Sequence, residues 1–367
     1  MKKLVRLLLF LYGICLFAMP VCHASAGTLA DDDSLILKAI SLSIIHEYEK
    51  SKQLLDELIR KDPTQPVGYF FKAAVIQAQM MDFETDRWRS EFLDNIDLTL
   101  SRCDRKNSDS SEFNVDHQFY KGSALSYLAF YAGRQGKYVT AIRQGLSAVS
   151  ILKKIVHHQP DYYDAYFGIG TFRFWRSQLT RHLSWLPLVP DDRELGIRMI
   201  ETAIEKGKFT RAAAMNELVW MLLEYDKPER AYQWALTGLQ HFPDSRFFLW
   251  GAAKCAMALE KYDTAQVYFQ RILDAILQNN PNNHYNEYLC RLNLARCHIH
   301  LEEYDCAQQQ IDQLKALPLS SNIIHRLKKQ RNQCEQLERQ VTKIRLNDQS
   351  CLPSSTKHDS TNEQRRY

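Results

Sequence analysis

The chain has 367 residues, of which 45% are hydrophobic and 25% are charged, with only 13 glycines and a formal net charge of +4. This composition is typical of a soluble, helix-rich protein and leaves little glycine for phosphate-binding loops. So small a charge offers no strong electrostatic attraction for a polyanion, and we expect no nucleic-acid partner.

The amino terminus has the pattern of a secretory signal peptide, which we place at residues 1–26. Basic residues come first, an apolar stretch follows at 7–18, and small residues at 24–26 supply a cleavage site before Gly27. We therefore expect an exported chain, in the periplasm if the source is a Gram-negative bacterium, with secretion as the other possibility. An uncleaved membrane anchor is the competing interpretation.

The nine cysteines do not form a disulfide framework. An oxidising compartment would permit pairing, but the number left after residue 26 is odd and the spacings are irregular. Cys255, Cys297 and Cys306 fall among apolar residues, where cysteine acts as a small hydrophobic side chain. We expect these three in the core and leave pairing open.

The first 180 residues read as consecutive helices. Asp31 to Ser34 offer acceptors and negative charge to the start of a helix that continues through Ile45, and Pro63 ends the next helix. Polar residues 104–116 predict a surface insertion. Further helices are expected at Gly68 to Met81, Phe83 to Cys103, His117 to Arg134, Tyr138 to His157 and Tyr162 to Leu179.

A second insertion is predicted at 179–192, where the chain is apolar and bounded by prolines. Such a segment either packs back onto the helices or covers a ligand. Asp191 and Glu194 then have the spacing of a capping box for the next helix.

From Asp191 to Leu314 one signature recurs, a small residue three places after an aromatic or turn residue. The small residues are Gly196, Ala231, Ala265 and Ala307, separated by 35, 34 and 42 positions. A period near 34 is that of a two-helix repeat, in which the small residue lets helices approach closely. Two-helix units must stack to bury their apolar faces, which predicts an all-α solenoid over 27–319.

Beyond the repeats, residues 320–346 form a charged helical pattern with Leu327, Cys334 and Val341 at intervals of seven. A terminal repeat needs a cover with a polar outer face, and this helix suits that role. A short coiled-coil dimer is the alternative. The polar residues 347–367 are expected to be disordered.

The repeats resemble the tetratricopeptide-repeat (TPR) family. Ala252-Ala253 fills the Leu-Gly position of its motif, and Tyr262, Ala265 and Phe269 follow at the family's offsets. Leu294-Ala295, Tyr304, Ala307 and Ile311 repeat the pattern, whereas Arg193 stands where tyrosine is expected. The resemblance implies a right-handed superhelix that binds a peptide or protein in its concave groove.

The exposed face of each first helix would line that groove. Aromatic residues there supply contact area, and Asn, Lys and Arg fix a peptide backbone or its carboxylates. Ordinary helix packing is the alternative for each aromatic residue. The candidate partner-binding residues are Phe167, Phe174, Asn216, Trp220, Trp250, Lys254 and Arg296.

A second candidate set lies beside the apolar insertion. Arg173, Arg176 and Arg181, with Trp185, would suit an anionic head group or carboxylate. The alternative is a solvated helix face paired with acidic residues.

Motifs for catalysis or metal binding are missing from the sequence. His298 and His300 are two apart on a helix and point to different sides. His300 and Glu303 would share a face, but no third ligand is evident, so we predict no metal, no cofactor and no enzyme. The leading hypothesis is an exported, non-catalytic scaffold in cell-envelope assembly or maintenance. The alternative is a carrier or sensor of a lipid or small amphiphile that uses residues 180–190.

Overall fold

The structure is a computed structural model that describes residues 26–109, 113–181, 190–278 and 284–350. These ranges contain sixteen α-helices and no strand, which confirms the predicted all-α fold class. In chain order they are α1 Ala26–Ile44, α2 Tyr48–Lys61, α3 Val67–Asp82, α4 Arg89–Asp109, α5 Val115–Arg134, α6 Tyr138–His158, α7 Asp164–Thr180, α8 Arg193–Lys206, α9 Arg211–Glu224, α10 Pro228–His241, α11 Arg246–Ala258, α12 Tyr262–Gln278, α13 Tyr285–His300, α14 Tyr304–Ala316, α15 Ser321–Arg326 and α16 Lys328–Ser350.

The first fourteen helices form seven consecutive hairpins, α1 with α2 through α13 with α14, and each hairpin packs on the next. This is the α-solenoid that the repeat period predicts. In six hairpins the fourth residue of the second helix is small and buried: Ser51, Ala141, Gly196, Ala231, Ala265 and Ala307.

The turn inside the hairpins is also repeated. A residue with positive φ stands two places before the second helix at His46, Gly136, Asp226, Glu260 and Glu302. The next N–H then bonds back to a carbonyl five residues earlier, as in Lys261 N–H to Ala256 O at 2.9 Å. The left-handed conformation lets this N–H reach a carbonyl at the end of the first helix that has no partner within the helix. The same backbone turn therefore forms in five segments of different sequence.

Some predicted boundaries are wrong. Asp31 to Ser34 lie inside α1, where Asp32 pairs with Lys61 and Asp33 with Lys208. Helix α4 begins at Arg89 because the left-handed Glu84 turns the chain after α3, and it continues to Asp109 through residues predicted to be loop.

The predicted capping box does not form. Arg193, which opens α8, donates its backbone N–H to Asp191 Oδ1, two residues away, at 3.1 Å, and its side chain bonds the same carboxylate. The N-cap residue Asp192 makes no capping bond, because its carboxylate binds two arginines of α7.

The last two helices cover the final repeat. Leu327, Cys334 and Val341 are buried in one cluster with Ile311 and Leu314 of α14, which is the packing expected of a cap. One predicted helix is in fact two, α15 and α16, with Leu327 between them. Helix α16 extends to Ser350, so residues 347–350 are helical rather than disordered. Residues 1–25 and 351–367, with most of the predicted signal peptide and tail, lie outside the described ranges.

The six cysteines in the described ranges are free thiols. Cys255 and Cys297 are buried as expected, but Cys306 is exposed, so its assignment to the core is wrong. No helix in these ranges is both long and apolar enough to cross a membrane.

The beginning of the solenoid also touches its later repeats. Arg246 at the start of α11 pairs with Asp82 at the end of α3, and Arg326 pairs with Glu84. Asn286 Nδ2 donates to the Asp82 carbonyl at 2.7 Å. These contacts close the solenoid, an arrangement that the repeat pattern does not predict.

Candidate partner-binding groove

The first helices of the hairpins form the inner row of the solenoid. Contacts join α1 with α3, α3 with α5, α5 with α7, α7 with α9 and α9 with α11, whereas second helices of neighbouring hairpins make no comparable contacts in the described ranges. Helices that lie closer together define the concave side of a curved stack. The face of α9, α11 and α13 that is not covered by neighbours is therefore the candidate groove.

Two of these helices are buried on nearly every side. Between residues 212 and 222 of α9, only Asn216 and Trp220 are partly exposed. Between residues 248 and 256 of α11, only Trp250 and Lys254 are partly exposed. Each pair is four residues apart and so lies on one helix face, where the sequence places it.

Lys254 is held by neutral partners. Its Nζ donates to Asn293 Oδ1 on α13 at 2.9 Å and lies 5.4 Å from the centre of the Phe269 ring. Burial, followed by the positive charge of Arg296, lowers the pKa of Lys254 to about 8. Burial also lowers the pKa of Arg296. Within the described ranges neither cation forms a salt bridge, so neither positive charge is balanced by a carboxylate.

The aromatic and amide residues frame this cation pair. Trp250 packs edge-on against Phe269 with ring centres 5.8 Å apart and keeps part of its surface exposed. Asn216 Oδ1 is buried and accepts no hydrogen bond from the described residues. Within the described ranges, this face thus combines Trp220 and Trp250 with two cations that lack a carboxylate partner and one acceptor that lacks a donor.

Two predicted groove residues are in the core instead. Phe167 is 5% exposed and Phe174 is 0% exposed. Phe174 packs against Trp175 and against Tyr225, which follows α9. Because neighbouring elements cover this side of α7, neither phenylalanine offers a surface to a partner.

Two of the three candidate arginines share one carboxylate. Arg173 Nη1 lies 2.9 Å from Asp192 Oδ2, and Arg176 binds the same oxygen. Arg181 is exposed at the end of the described part of this segment. Trp185 lies outside the described residues. The pairing with Asp192 is the alternative that the sequence left open for the first two arginines.

Several residues of the site are not evident in the sequence. Asn293, which orients Lys254, is 39 residues away, and no motif marks it. Glu217 lies next to Asn216 and accepts a 2.6 Å bond from Trp175 Nε1, 42 residues earlier. The one sequence feature that marks these residues is that each is polar on a helix whose other residues are mostly apolar.

No family model and no curated protein match this chain. Its fold does resemble solved structures. The APC/C hetero-tetramer Cut9–Hcn1 matches 87% of this chain and 54% of that chain, with 14% identity and a TM-score of 0.50. The matched region is thus about half of that relative's length.

Two bacterial proteins described as TPR proteins are also similar. The C-terminal part of one from Cytophaga hutchinsonii matches with 15% identity over 78% of this chain and 97% of its own, at a TM-score of 0.40. One from Parabacteroides merdae matches with 12% identity over 82% and 98%, at a TM-score of 0.38.

Proposed function

This chain has a TPR-like α-solenoid fold, and we propose that it is a non-catalytic scaffold that binds a protein or peptide partner in the groove of α9, α11 and α13. The observation that carries the proposal is that Lys254 and Arg296 lie on neighbouring helices, joined by the bond from Lys254 Nζ to Asn293 Oδ1 of α13, with no acidic partner for either cation in the described ranges. Both cations lie on the inner face.

A partner with a carboxylate would relieve the cost of this arrangement. Placing a charge in a partly dehydrated site is unfavourable unless it is paired, and two like charges add to that cost. A carboxylate from an acidic side chain or a chain terminus would form charge-assisted hydrogen bonds with both groups. The exposed parts of Trp220 and Trp250 would then contact the adjoining apolar residues of the partner.

The proposal predicts a characteristic pH dependence of binding. Lys254, with a pKa of about 8, is charged below that pH and neutral above it. An anionic partner would therefore bind more weakly as the pH rises through 8, because one of the two cations is lost.

We further propose that the chain works after export, in the assembly or maintenance of a cell envelope. The support for export is the basic, apolar and small-residue order of residues 1–26. The support for a scaffold is the inner face described above.

Affinity capture from a native envelope extract tests this function. Residues 27–367 would be the bait, and a variant with Trp250→Ala and Lys254→Glu would be compared with wild type by mass spectrometry. Lys137→Glu, an exposed residue before α6, makes the same charge change away from the groove. We expect a stoichiometric protein that disappears only with the groove variant, while circular dichroism shows unchanged helicity.

Unchanged capture by the folded groove variant would contradict the proposal. A co-purifying lipid without a protein would instead favour the carrier hypothesis. Among the described residues, Arg173 and Arg176 already share the Asp192 carboxylate, which leaves less positive charge for an anionic head group.

A further inference from the structure

Three side chains with different metal-binding atoms meet at the turn between α13 and α14. They are His298 near the end of α13, Glu303 just before α14, and Cys306 in the first turn of α14. Their ligand atoms all lie within 4.8 Å of one another. Nδ1 of His298 lies 2.6 Å from Oε2 of Glu303.

The backbone that brings them together is the turn repeated through the solenoid. Glu302 has a φ of 62°, and the N–H of Glu303 bonds to the carbonyl of His298 at 2.8 Å. The chain therefore reverses so that positions 298, 303 and 306 face the same small volume. The backbone geometry of this turn therefore recurs in other hairpins, and what distinguishes this hairpin is the identity of its three side chains.

The equivalent positions in other hairpins confirm that the chemistry is specific to this one. In the preceding repeat the same turn carries Ala256, Lys261 and Thr264, and the same backbone bond joins its first two residues. The turns around Gly136 and Asp226 carry alanine or leucine, then lysine, then threonine or arginine. The turn around His46 carries Leu42, Glu47 and Lys50, so it offers a carboxylate alone. Among the five repeated turns in the described ranges, only the one around Glu302 combines a histidine, a carboxylate and a thiol at these positions.

Histidine, cysteine and glutamate together form a transition-metal ligand set. Imidazole nitrogen and thiolate sulfur suit Zn²⁺, which also accepts carboxylate oxygen and prefers four ligands in a tetrahedron. Three protein ligands leave the fourth position for water. A carboxylate-only site would instead suit Mg²⁺ or Ca²⁺.

The side chains need only small movements to hold such an ion. At ordinary zinc bond lengths the nitrogen and oxygen would separate to about 3.3 Å. Glu303 and Cys306 are exposed and have room to move, while His298 is buried and already oriented. The ion would take the place of the proton between His298 and Glu303, and the Cys306 thiol would release its proton on binding.

We propose that His298, Glu303 and Cys306 form a Zn²⁺-binding site. The site would cross-link the end of α13 to the start of α14. It lies two residues from Arg296, so a bound ion would stiffen the helix end that presents a cation to the groove. The proposal does not depend on the groove binding a partner.

Cobalt(II) titration of the untagged, metal-stripped chain tests the site directly. Co²⁺ bound by a thiolate in a tetrahedral site gives charge-transfer and ligand-field absorption bands, and competition with Zn²⁺ then yields the zinc affinity. We expect one ion per chain. We also expect bound Zn²⁺ to protect Cys306 from alkylation by iodoacetamide, measured on its own peptide by mass spectrometry.

The preceding repeat supplies variants that its turn already tolerates. Cys306→Thr should abolish the charge-transfer band, and Glu303→Lys should weaken Zn²⁺ binding by more than the roughly 10- to 100-fold lost with an outer-sphere partner. His300→Ala and Glu302→Gln are matched controls at neighbouring exposed residues outside the ligand set, and both should bind Zn²⁺ as wild type does.

Three results would overturn the proposal. One is the absence of stoichiometric binding by the wild-type chain. Another is a charge-transfer band that persists in Cys306→Thr. The third is an equal loss of affinity in the two control variants, which would indicate adventitious binding elsewhere.

Discussion

Arg246 and Asp82 are 164 residues apart, yet they form a two-point ion pair in which Arg246 Nε lies 2.9 Å from Asp82 Oδ1. Their side chains are only 9% and 6% exposed. Burial alone would raise the pKa of Asp82, but His46 and Arg246 together hold it well below its ordinary value. This pair connects the second hairpin to the sixth and closes the solenoid.

Loss of the Asp82 charge should therefore destabilise the protein substantially. Asp82→Asn leaves Arg246 buried without a counter-charge, and breaking a buried pair in this way costs about 3–5 kcal/mol. The free energy of unfolding from urea denaturation measures the loss. Asp244→Asn is the matched control, because its pair with Arg271 is 90% and 42% exposed and such pairs contribute at most ~1 kcal/mol. If both variants lower the free energy of unfolding by the same amount, the contact between the second and sixth hairpins contributes little to stability.

His46 should make the closed form sensitive to acid. Its Nε2 accepts the backbone N–H of Arg246 at 2.8 Å, so the proton is on Nδ1, facing Tyr48 and Asp82. Burial, partly opposed by Asp82, lowers the pKa of His46. As the pH falls, His46 therefore takes up its proton in the unfolded chain before it does so in the folded chain. The folded state is not penalised by this effect above about pH 6.5, and its free energy of unfolding declines as the pH falls below that value.

The comparison with His46→Gln isolates this effect from other titrating groups. The variant cannot take up the proton, so its unfolding free energy should fall less between about pH 7.5 and 5.5 than that of wild type. The same slope in both proteins would mean that His46 does not contribute to acid sensitivity.

Glu217 should have the opposite dependence on pH. One of its oxygens accepts the hydrogen bond from Trp175, and the other is buried without a hydrogen-bond partner among the described residues. Burial, reduced by that bond, raises the pKa of Glu217 to about 7. The folded state therefore favours the protonated acid, and stability declines as the pH rises from about 4.5 to about 7.

Glu217→Gln keeps an acceptor for Trp175 and removes the titration. Unfolding free energies measured across this pH range should fall for wild type and stay flatter for the variant. Parallel curves for the two proteins would contradict the assignment of a buried, neutral acid.

Gly196 should tolerate no side chain, because α7 and α8 meet there. A Cβ at this position would lie 2.7 Å from the Gly170 carbonyl oxygen and 2.9 Å from the Phe174 nitrogen, both backbone atoms. Gly196→Ala should cost at least the ~1–3 kcal/mol typical of overpacking.

Gly145→Ala provides the control on α6. Its Cβ would meet only Ala129, at 3.9 Å, so the helix-forming tendency of alanine should stabilise the protein by ~0.5–1 kcal/mol. Thermal unfolding of both variants measures the contrast. A Gly196→Ala variant that is as stable as wild type would show that α7 and α8 can move apart without a loss in the free energy of unfolding.

The sequence predicts features that depend on local spacing. Ala231 and Ala265 can be identified from the sequence because six of the seven described hairpins have a small residue at the fourth position of the second helix. The sequence does not predict that Trp250 is partly exposed while Phe174 is buried. Both lie at equivalent positions of the helical period, and the packing of neighbouring elements determines which of them is covered. The sequence around Arg246 or Asp82 does not predict their ion pair. The pair depends on the relative orientation of several successive hairpins, which brings the second hairpin into contact with the sixth.

The most direct measurement of the central claim is a selection of random peptides with free carboxyl termini on the wild-type chain, followed by calorimetry of the selected peptides. The account predicts that binding of the selected peptides requires a carboxylate, either on an acidic side chain or at the free carboxyl terminus, and is lost with Lys254→Met and Arg296→Ala but retained with Lys137→Met. Binding that survives when the peptide's acidic side chains are replaced by amides and its terminus is amidated, or binding that is unaffected by the two groove substitutions, would contradict it.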